Sequence, residues 1–358
     1  MRSLTSQSLT KAALFSIVFL LTISLSLGLQ AQAQSCTAFG NPPRGNVLAV
    51  LPLCGDGGPL LGGFNDGEGT PRFACLYPPS APVSGVQYPM IVWLHPSLAN
   101  ADSVKLTPLF NDRDTVNISG GNTTGFIILA PQGRNTQHFY PFPDNQATGW
   151  DNWYRQLSPN GAVTVNGTVF NENVDAATID HFIQQEVATG MVDTNRIYLV
   201  GWSNGASMAF LYGANRSNIA ATAVYSAPGP FGALEDPCQQ TPVSGVPADN
   251  THLRLFASGI PTFQVHNACD IAGICPNSRR IGPQLAAAGG SIEQEVIIDG
   301  GRVVNSCDAI CGTNPNGDPN NAVANTVGAS NHATWPVAQT PQMLQFLQQH
   351  PLSMRPKP

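Results

Sequence analysis

The sequence has few charged residues and no excess of basic ones. Asp, Glu, Lys and Arg make up 11% of its 358 residues, against about a quarter in a typical globular protein. The net charge of −6 gives no sign of a basic surface, so we expect no nucleic-acid partner. The hydrophobic fraction of 42% is ordinary, and the length suffices for one large domain with a buried core. The low charge favours an extracellular protein that handles neutral material.

The sequence also lacks Cys-x-x-Cys pairs, internal repeats and low-complexity linkers. Without closely spaced cysteines beside a histidine we expect no zinc site, and no other pattern indicates a metal or cofactor. The 8 cysteines are an even number, which predicts disulfide bonds formed in an oxidising compartment. Cys269 with Cys275, and Cys307 with Cys311, are spaced to close small loops, and longer pairings remain open.

One apolar segment is long enough to span a membrane, and it lies at the N-terminus. Positive charges precede an apolar run from Ala12 to about Leu29, and Ala31-Gln32-Ala33 then supplies the small-x-small pattern that signal peptidase cleaves. We therefore predict a signal peptide over residues 1–33, secretion to the extracellular space or periplasm, and no membrane association after cleavage. A retained membrane anchor and a lipid-modified Cys36 are the alternatives.

After the predicted signal, Gly, Pro and Asn dominate residues 34–70, which predicts an irregular lead-in before one domain over 71–358. In that domain, apolar β-favouring runs alternate with segments of helical periodicity. Predicted strands lie at 72–76, 88–94, 125–130, 196–200, 220–225, 261–266 and 292–298, and predicted helices at 174–183, 206–212 and 343–347. This alternation predicts an α/β fold with a mostly parallel central sheet and helices on both faces.

The segment Gly201-Trp202-Ser203-Asn204-Gly205 matches the pattern G-x-S-x-G. A predicted strand leads into it and a predicted helix leads out, the context that places a serine on a sharp turn at the edge of an α/β-hydrolase sheet. We predict Ser203 as a nucleophile and the backbone N–H of Asn204 as one donor to the oxyanion. The alternative is a tight strand-to-helix turn without chemistry.

A nucleophilic serine needs a histidine base held by a carboxylate, and in this fold the acid and then the histidine follow the serine along the chain. His332 lies in a polar loop before the last predicted helix, from which it can reach over the site. The alternative is an ordinary solvated histidine. Asp270 follows the predicted strand 261–266, and Asp299, which also ends a strand, is its main rival as the acid.

The second oxyanion donor is expected in the loop after the predicted strand 88–94. Pro96 has no N–H, so Ser97 is the nearest candidate. Trp202 directly precedes the predicted nucleophile, and Trp335 lies three residues after the predicted base. We predict that they form an apolar wall for the acyl chain or a ring, and simple core packing is the alternative.

Several of these segments resemble the family of extracellular poly(3-hydroxybutyrate) depolymerases and feruloyl or acetylxylan esterases. The most specific stretch runs from Asp193 to Ala209 and includes the G-x-S-x-G motif, and the similarity covers roughly residues 70–350 with gaps. The resemblance implies an α/β-hydrolase fold whose catalytic triad is Ser203, Asp270 and His332.

The sequence departs from that family at two places. Pro96 stands where the family has Gly after the histidine of the first strand, which leaves the oxyanion donor open. Two residues, Ala333 and Thr334, separate His332 from the next Trp where the family has one. No separate polymer-binding module is visible in the sequence.

Together these features predict a secreted serine esterase that hydrolyses carboxylic esters, similar to a polyhydroxybutyrate depolymerase that acts on polyester. A feruloyl or acetylxylan esterase that acts on plant polysaccharide is the alternative among enzymes. A catalytically inactive binding protein on a hydrolase fold is the alternative from another class. The expected partner is an ester-bearing polymer, and the chemistry needs no cofactor.

Overall fold

The computed structural model describes residues within the unit Phe39–Pro358. The described ranges are 54–66, 70–139, 142–150, 163–165, 168–170, 174–214, 216–227, 260–270, 282, 291–299, 301–306 and 326–355. The predicted signal peptide lies outside them, as does at least one cysteine of each predicted small-loop pairing. Within these ranges no helix is long and apolar enough to cross a membrane.

Thirteen strands are present in the described ranges. They are β1 (Leu60–Asn65), β2 (Pro71–Tyr77), β3 (Tyr88–Leu94), β4 (Ile127–Pro131), β5 (Asn135–Phe139), β6 (Phe142–Thr148), β7 (Val163–Val165), β8 (Thr168–Phe170), β9 (Val192–Trp202), β10 (Ala221–Tyr225), β11 (Pro261–Asn267), β12 (Ser291–Asp299) and β13 (Arg302–Val304). Nine of them form one sheet in the order β1-β2-β4-β3-β9-β10-β11-β12-β13. The β5–β6 and β7–β8 pairs form separate antiparallel hairpins.

The centre of the large sheet is parallel and its edges are antiparallel. Strands β4, β3, β9, β10, β11 and β12 pair in parallel, whereas β1, β2 and β13 join by antiparallel pairing. Every residue of β3, β10 and β11 is buried, as expected for strands covered on both faces. The predicted strands and the mostly parallel α/β architecture are confirmed.

Helices cover both faces of the sheet. The described helices are α1 (Leu109–Asp112), α2 (Val174–Val187), α3 (Asn204–Ala214), α4 (Thr326–His332) and α5 (Thr340–Gln349). Alternate β3 side chains point to opposite faces. Met90, Val92 and Leu94 share one hydrophobic cluster with α2 and α3, and Ile91 and Trp93 share the other with α5. This arrangement confirms the predicted helices on both faces.

The irregular lead-in predicted over 34–70 needs correction at β1. This strand pairs antiparallel with β2 at the sheet edge, and its register shifts between Leu61 and Phe64. The intervening Gly62 and Gly63 carry no side chain that indicates a strand, which explains why sequence patterning missed it. Just before β1, Cys54 forms a disulfide bond with Cys75 of β2.

Candidate active site

The predicted nucleophile lies on a sharp turn between β9 and α3. Ser203 has a φ of 55°, a left-handed conformation that is strained for a residue with a side chain. A Cβ added at Gly201 would lie 2.7 Å from the Ala206 Cα. A Cβ added at Gly205 would clash with the carbonyl oxygens of Leu94 and its neighbour. The two glycines of the motif are therefore required by close backbone approach.

Three predicted site residues meet in one hydrogen-bonded relay. His332 Nε2 lies 2.8 Å from Ser203 Oγ, and His332 Nδ1 lies 2.7 Å from Asp270 Oδ1. His332 is 9% exposed, Ser203 2% and Asp270 4%. The geometry suits a neutral imidazole that accepts the serine proton at Nε2 and donates its Nδ1–H to the carboxylate.

Sheet topology explains how residues distant in sequence come together here. Strands β9 and β10 pair in parallel with Trp202 opposite Tyr225, so that Ser203 and Ser226 follow neighbouring strand ends. Asp270 follows β11, the next strand of the sheet. Asp299 instead ends β12 and pairs with Arg302 across the β12–β13 turn. Of the two candidate acids, only Asp270 is bonded to His332.

Ser226 is a site residue that the sequence analysis missed. Its Oγ donates a hydrogen bond of 2.7 Å to Asp270 Oδ2, the carboxylate oxygen that does not contact His332. Ser226 is fully buried and, like Ser203, has a positive φ, of 49°. Both oxygens of the carboxylate are thus held, which fixes the orientation of the group that orients the imidazole.

His332 is the last residue of α4, and the prediction of a loop around it is wrong. The segment Thr326–His332 contains Gly, Ser and Asn, which are weak helix formers, so its sequence gave no helix signal. Two bonds hold the end of this helix. Trp202 Nε1 donates to His332 O at 2.9 Å, and Tyr225 Oη donates to Asn331 O at 2.6 Å. Burial raises the pKa of Tyr225, so that its hydroxyl stays protonated as a donor.

The side chain of Asn331 adds a further bond between the histidine and the acid. Its Nδ2 donates to Cys269 O at 2.8 Å, immediately before Asp270 in sequence. Asn267 Nδ2 donates to the Tyr225 hydroxyl oxygen. The segments that carry the base and the acid are therefore joined by hydrogen bonds from side chains to backbone carbonyls, in addition to the bond between His332 and Asp270.

Trp202 and Trp335, predicted to form an apolar wall, lie in the core, which favours the alternative of core packing. They are 4% and 3% exposed, and their ring centroids lie 5.9 Å apart in an edge-to-face arrangement. Trp335 Nε1 donates to Thr340 Oγ1 at 2.8 Å, while Trp202 holds the backbone of His332. Both indole N–H groups have partners inside the protein. The two rings therefore pack in the core, and Trp202 also positions the backbone of His332.

Asn204, the first predicted oxyanion donor, is the first residue of α3. Its backbone N–H belongs to the N-terminal turn of that helix, where N–H groups point away from the helix body. Its side chain is used elsewhere. Asn204 Oδ1 accepts from Trp150 N at 2.6 Å, and Asn204 Nδ2 donates to Trp150 O at 3.2 Å. Trp150 Nε1 in turn donates to His95 O at 2.8 Å.

His95 supports the loop that carries Ser97, the second predicted donor. Burial lowers the pKa of His95 from 6.5 to about 4, so the ring is neutral at physiological pH. Gly133 N donates to its Nε2 at 2.9 Å, which leaves Nδ1 to donate to Pro96 O at 2.8 Å. Ser97 follows as a buried residue, inside a turn closed by a bond from Ala99 N to Pro96 O.

The described part of the chain contains no group of three or more His, Cys, Asp or Glu side chains that could hold a metal ion. The functional groups that converge at Ser203 are a hydroxyl, an imidazole, a carboxylate and backbone N–H groups. Such a set is suited to nucleophilic attack on a carbonyl group and stabilisation of the resulting oxyanion.

No family model and no curated protein matches the sequence. Among solved structures, a putative dipeptidyl aminopeptidase IV from Bacteroides ovatus aligns over 82% of this chain and 36% of its own, with 12% identity and a TM-score of 0.51. A thermostable esterase aligns over 82% of this chain and 63% of its own (18% identity, TM-score 0.43). SOBER1 from Arabidopsis thaliana aligns over 61% of this chain and 92% of its own, with 16% identity and a TM-score of 0.38.

The fold is that of the α/β-hydrolases. The peptidase alignment, the sheet order and the serine turn between β9 and α3 agree on this point. The chain spans about a third of the peptidase that it matches and less than two thirds of the thermostable esterase. These similarities concern the fold.

Proposed function

We propose that this protein is a serine hydrolase that cleaves carboxylic esters through an acyl-enzyme. The relay from Ser203 through His332 to Asp270 supports the proposal, because its two hydrogen bonds of 2.8 and 2.7 Å have the connectivity that activates a serine hydroxyl. The relay stands on the strand-to-helix turn on which α/β-hydrolases carry their nucleophile.

In the first step, Ser203 Oγ attacks the ester carbonyl carbon and its proton passes to His332 Nε2. Asp270 stabilises the imidazolium that forms. The oxyanion accepts hydrogen bonds from the backbone N–H groups that we assign to Asn204 and Ser97, each worth about 3 kcal/mol in related enzymes. The carbon–oxygen bond to the alcohol then breaks, and His332 donates the proton to the leaving oxygen.

In the second step, water attacks the acyl-enzyme. His332 Nε2 takes a proton from the water as its oxygen bonds to the acyl carbon, and the same donors hold the second oxyanion. The bond to Ser203 Oγ breaks, the serine recovers its proton from the imidazolium, and the carboxylic acid leaves. The cycle consumes one water per ester and needs no redox group or metal.

For the natural substrate we propose a polyester of the poly(3-hydroxybutyrate) type, met outside the cell after cleavage of the signal peptide. The resemblance of residues 193–209 to that family, the low charge of the chain and the apolar N-terminal segment support this choice. Release of 3-hydroxybutyrate from the polymer or its oligomers is expected. Release of ferulate or acetate from plant polysaccharide in its place would assign the protein to the alternative class.

The proposed activity is tested by turnover of p-nitrophenyl acetate and butyrate by the mature protein. Ser203→Ala should reduce turnover by roughly 10⁶-fold, the loss found when a triad serine is removed. Ser330→Ala is the matched control, since Ser330 is an exposed serine on α4 near the base, and it should retain full activity. Equal turnover by wild type and Ser203→Ala would show that the relay performs no ester hydrolysis, as expected of a binding protein.

A further inference from the structure

Backbone strain among the described residues is concentrated around the candidate site. Three residues other than glycine have a positive φ there: Leu98 at 66°, Ser203 at 55° and Ser226 at 49°. Ser203 is the proposed nucleophile and Ser226 binds the proposed acid. Because strained backbone of this kind clusters at functional sites, the third residue, Leu98, requires an explanation too.

The turn that contains Leu98 is one for which glycine is the normal choice. A hydrogen bond of 3.2 Å from Ala99 N to Pro96 O closes a four-residue turn whose third residue is Leu98. A positive φ at this position of a turn is typical of Gly or Asn. A leucine costs more conformational energy there than glycine would. Its presence therefore points to a role for its side chain.

The side chain of Leu98 does not offset that cost by packing inside the protein. It is 41% exposed and belongs to none of the hydrophobic clusters of the described core. Its backbone is fixed, because Leu98 N donates to Thr148 O at 2.7 Å. Exposure of a single apolar side chain is ordinary, but strained backbone that holds such a side chain is typical of ligand-contacting positions.

The place of Leu98 beside the nucleophile follows from two sets of contacts. Its loop follows β3, and the carbonyl oxygens of Leu94 and His95 at the start of that loop lie against Gly205 of the serine turn. Thr148, which Leu98 contacts, stands two residues before Trp150, and Trp150 N is bonded to the side chain of Asn204. The loop that contains Leu98 therefore packs directly against the turn that contains Ser203.

Sheet order indicates which part of an ester Leu98 faces. β3 lies on one side of β9, and β10 and β11 lie on the other. His332, bonded to Asp270 after β11, must protonate the leaving alcohol, so the alcohol lies on that side of Ser203. The oxyanion is assigned to the opposite side, at the N–H groups of Asn204 and Ser97, and the acyl group on the same carbon then lies near the loop that contains Leu98.

We infer that Leu98 is a specificity-determining residue that contacts an apolar acyl group of more than two carbons. The inference rests on the proposed ester hydrolysis. A longer acyl chain covers the exposed Leu98 side chain and gains from burial of both apolar surfaces, whereas an acetyl group has little apolar surface to bury against it.

The test compares acyl-chain preference in Leu98→Gly and Leu98→Asn with wild type. Both replacements accept the positive φ, so neither should lower Tm. The ratio of kcat/KM for p-nitrophenyl hexanoate to that for the acetate should fall about tenfold in each variant, with acetate turnover retained. Leu106→Asn replaces a leucine that is 56% exposed on the same β3–β4 connection, and it should keep the wild-type ratio.

An unchanged ratio in both Leu98 variants, or an equal loss for all chain lengths, would overturn the inference while leaving the esterase proposal intact. A fall of the same size in Leu106→Asn would also overturn it. Absence of any Ser203-dependent hydrolysis, acetate included, would overturn both proposals. The acetate rate therefore separates the two kinds of failure.

Discussion

Ser226 Oγ and Asp270 Oδ2 form a buried hydrogen bond of 2.7 Å, and the second oxygen of the same carboxylate meets His332 Nδ1. A carboxylate held at one oxygen alone can rotate about its side-chain bonds. Held at both oxygens, it presents a fixed acceptor to the imidazole. Ser226 is thus a positioning residue that acts on the base through the acid.

Ser226→Ala should lower kcat about tenfold with KM nearly unchanged, because a hydrogen bond to a charged group contributes about 1.5 to 3 kcal/mol and this one orients the relay. Thr222→Val is the matched control. It removes a buried hydroxyl of β10, bonded to Thr262 Oγ1 at 2.7 Å and remote from the relay, so kcat should be retained. Steady-state kinetics on both variants checks the prediction, and an equal loss of kcat in both would assign Ser226 a merely structural role.

The choice between Asp270 and Asp299 as the acid is tested by the corresponding asparagine variants. Asp270→Asn should reduce kcat by roughly 10⁴-fold, because an amide favours the wrong imidazole tautomer and cannot stabilise the imidazolium. Asp299→Asn should stay within a few-fold of wild type, since Asp299 belongs to the β12–β13 hairpin. Turnover of p-nitrophenyl butyrate at saturating concentration measures both, and a greater loss in Asp299→Asn would be inconsistent with the observed bond to His332.

The buried tryptophans give a prediction that separates positioning from substrate contact. Trp202→Phe removes the N–H that holds His332 O and should lower kcat several-fold for all acyl lengths alike, consistent with loss of about 1 kcal/mol. Trp335→Phe leaves that bond in place and should mainly lower Tm, since it removes a buried bond to Thr340. A change of acyl-chain preference in either variant would instead support the prediction from the sequence that these tryptophans contact the acyl chain.

Buried His95 predicts a loss of stability in mild acid. Burial lowers the pKa of His95 from 6.5 to about 4, so the unfolded chain binds a proton below about pH 6.5 while the folded protein excludes it until about pH 4. The stability conferred by the neutral ring is complete above pH 6.5 and is lost progressively as the pH falls towards 4, by about 3 kcal/mol in all.

Urea unfolding at pH 7, 5.5 and 4.5 measures this loss. His95→Gln should be less stable at pH 7, because the bond to Pro96 O is lost, but its stability should fall less between pH 7 and 4.5 than that of wild type. Thr222→Val, which removes a buried hydroxyl and no titratable group, is the control and should follow the wild-type slope. An identical slope in all three proteins would contradict the role assigned to burial of His95.

The central sheet and the members of the relay could be predicted from the sequence because both depend on patterns that are local in the chain. Strands buried on both faces are rich in apolar residues, so β3, β4 and the second half of β9 stand out in the chain. The order of parallel strands then brings their carboxyl ends to one edge of the sheet, where Ser203 and Asp270 meet. His332 was predicted as the partner, although α4, which carries it, was not.

Other features depend on contacts between segments far apart in the chain. Ser226 and Asp270 are 44 residues apart, and no local pattern distinguishes Ser226 from any other serine after a strand. The buried state of Trp335 depends on packing against β3 and β10, which hydrophobicity alone does not separate from a role at a pocket wall. The strain at Leu98 is visible only in the backbone dihedral angle.

Mass spectrometry of the mature protein after treatment with a fluorophosphonate tests the central claim most directly. Such a probe labels a serine whose hydroxyl is activated by a neighbouring base. One adduct per chain is predicted, on the peptide that contains Ser203, with no adduct in Ser203→Ala and slower labelling in Asp270→Asn. An unlabelled wild-type protein, or an adduct on another serine, would contradict the account.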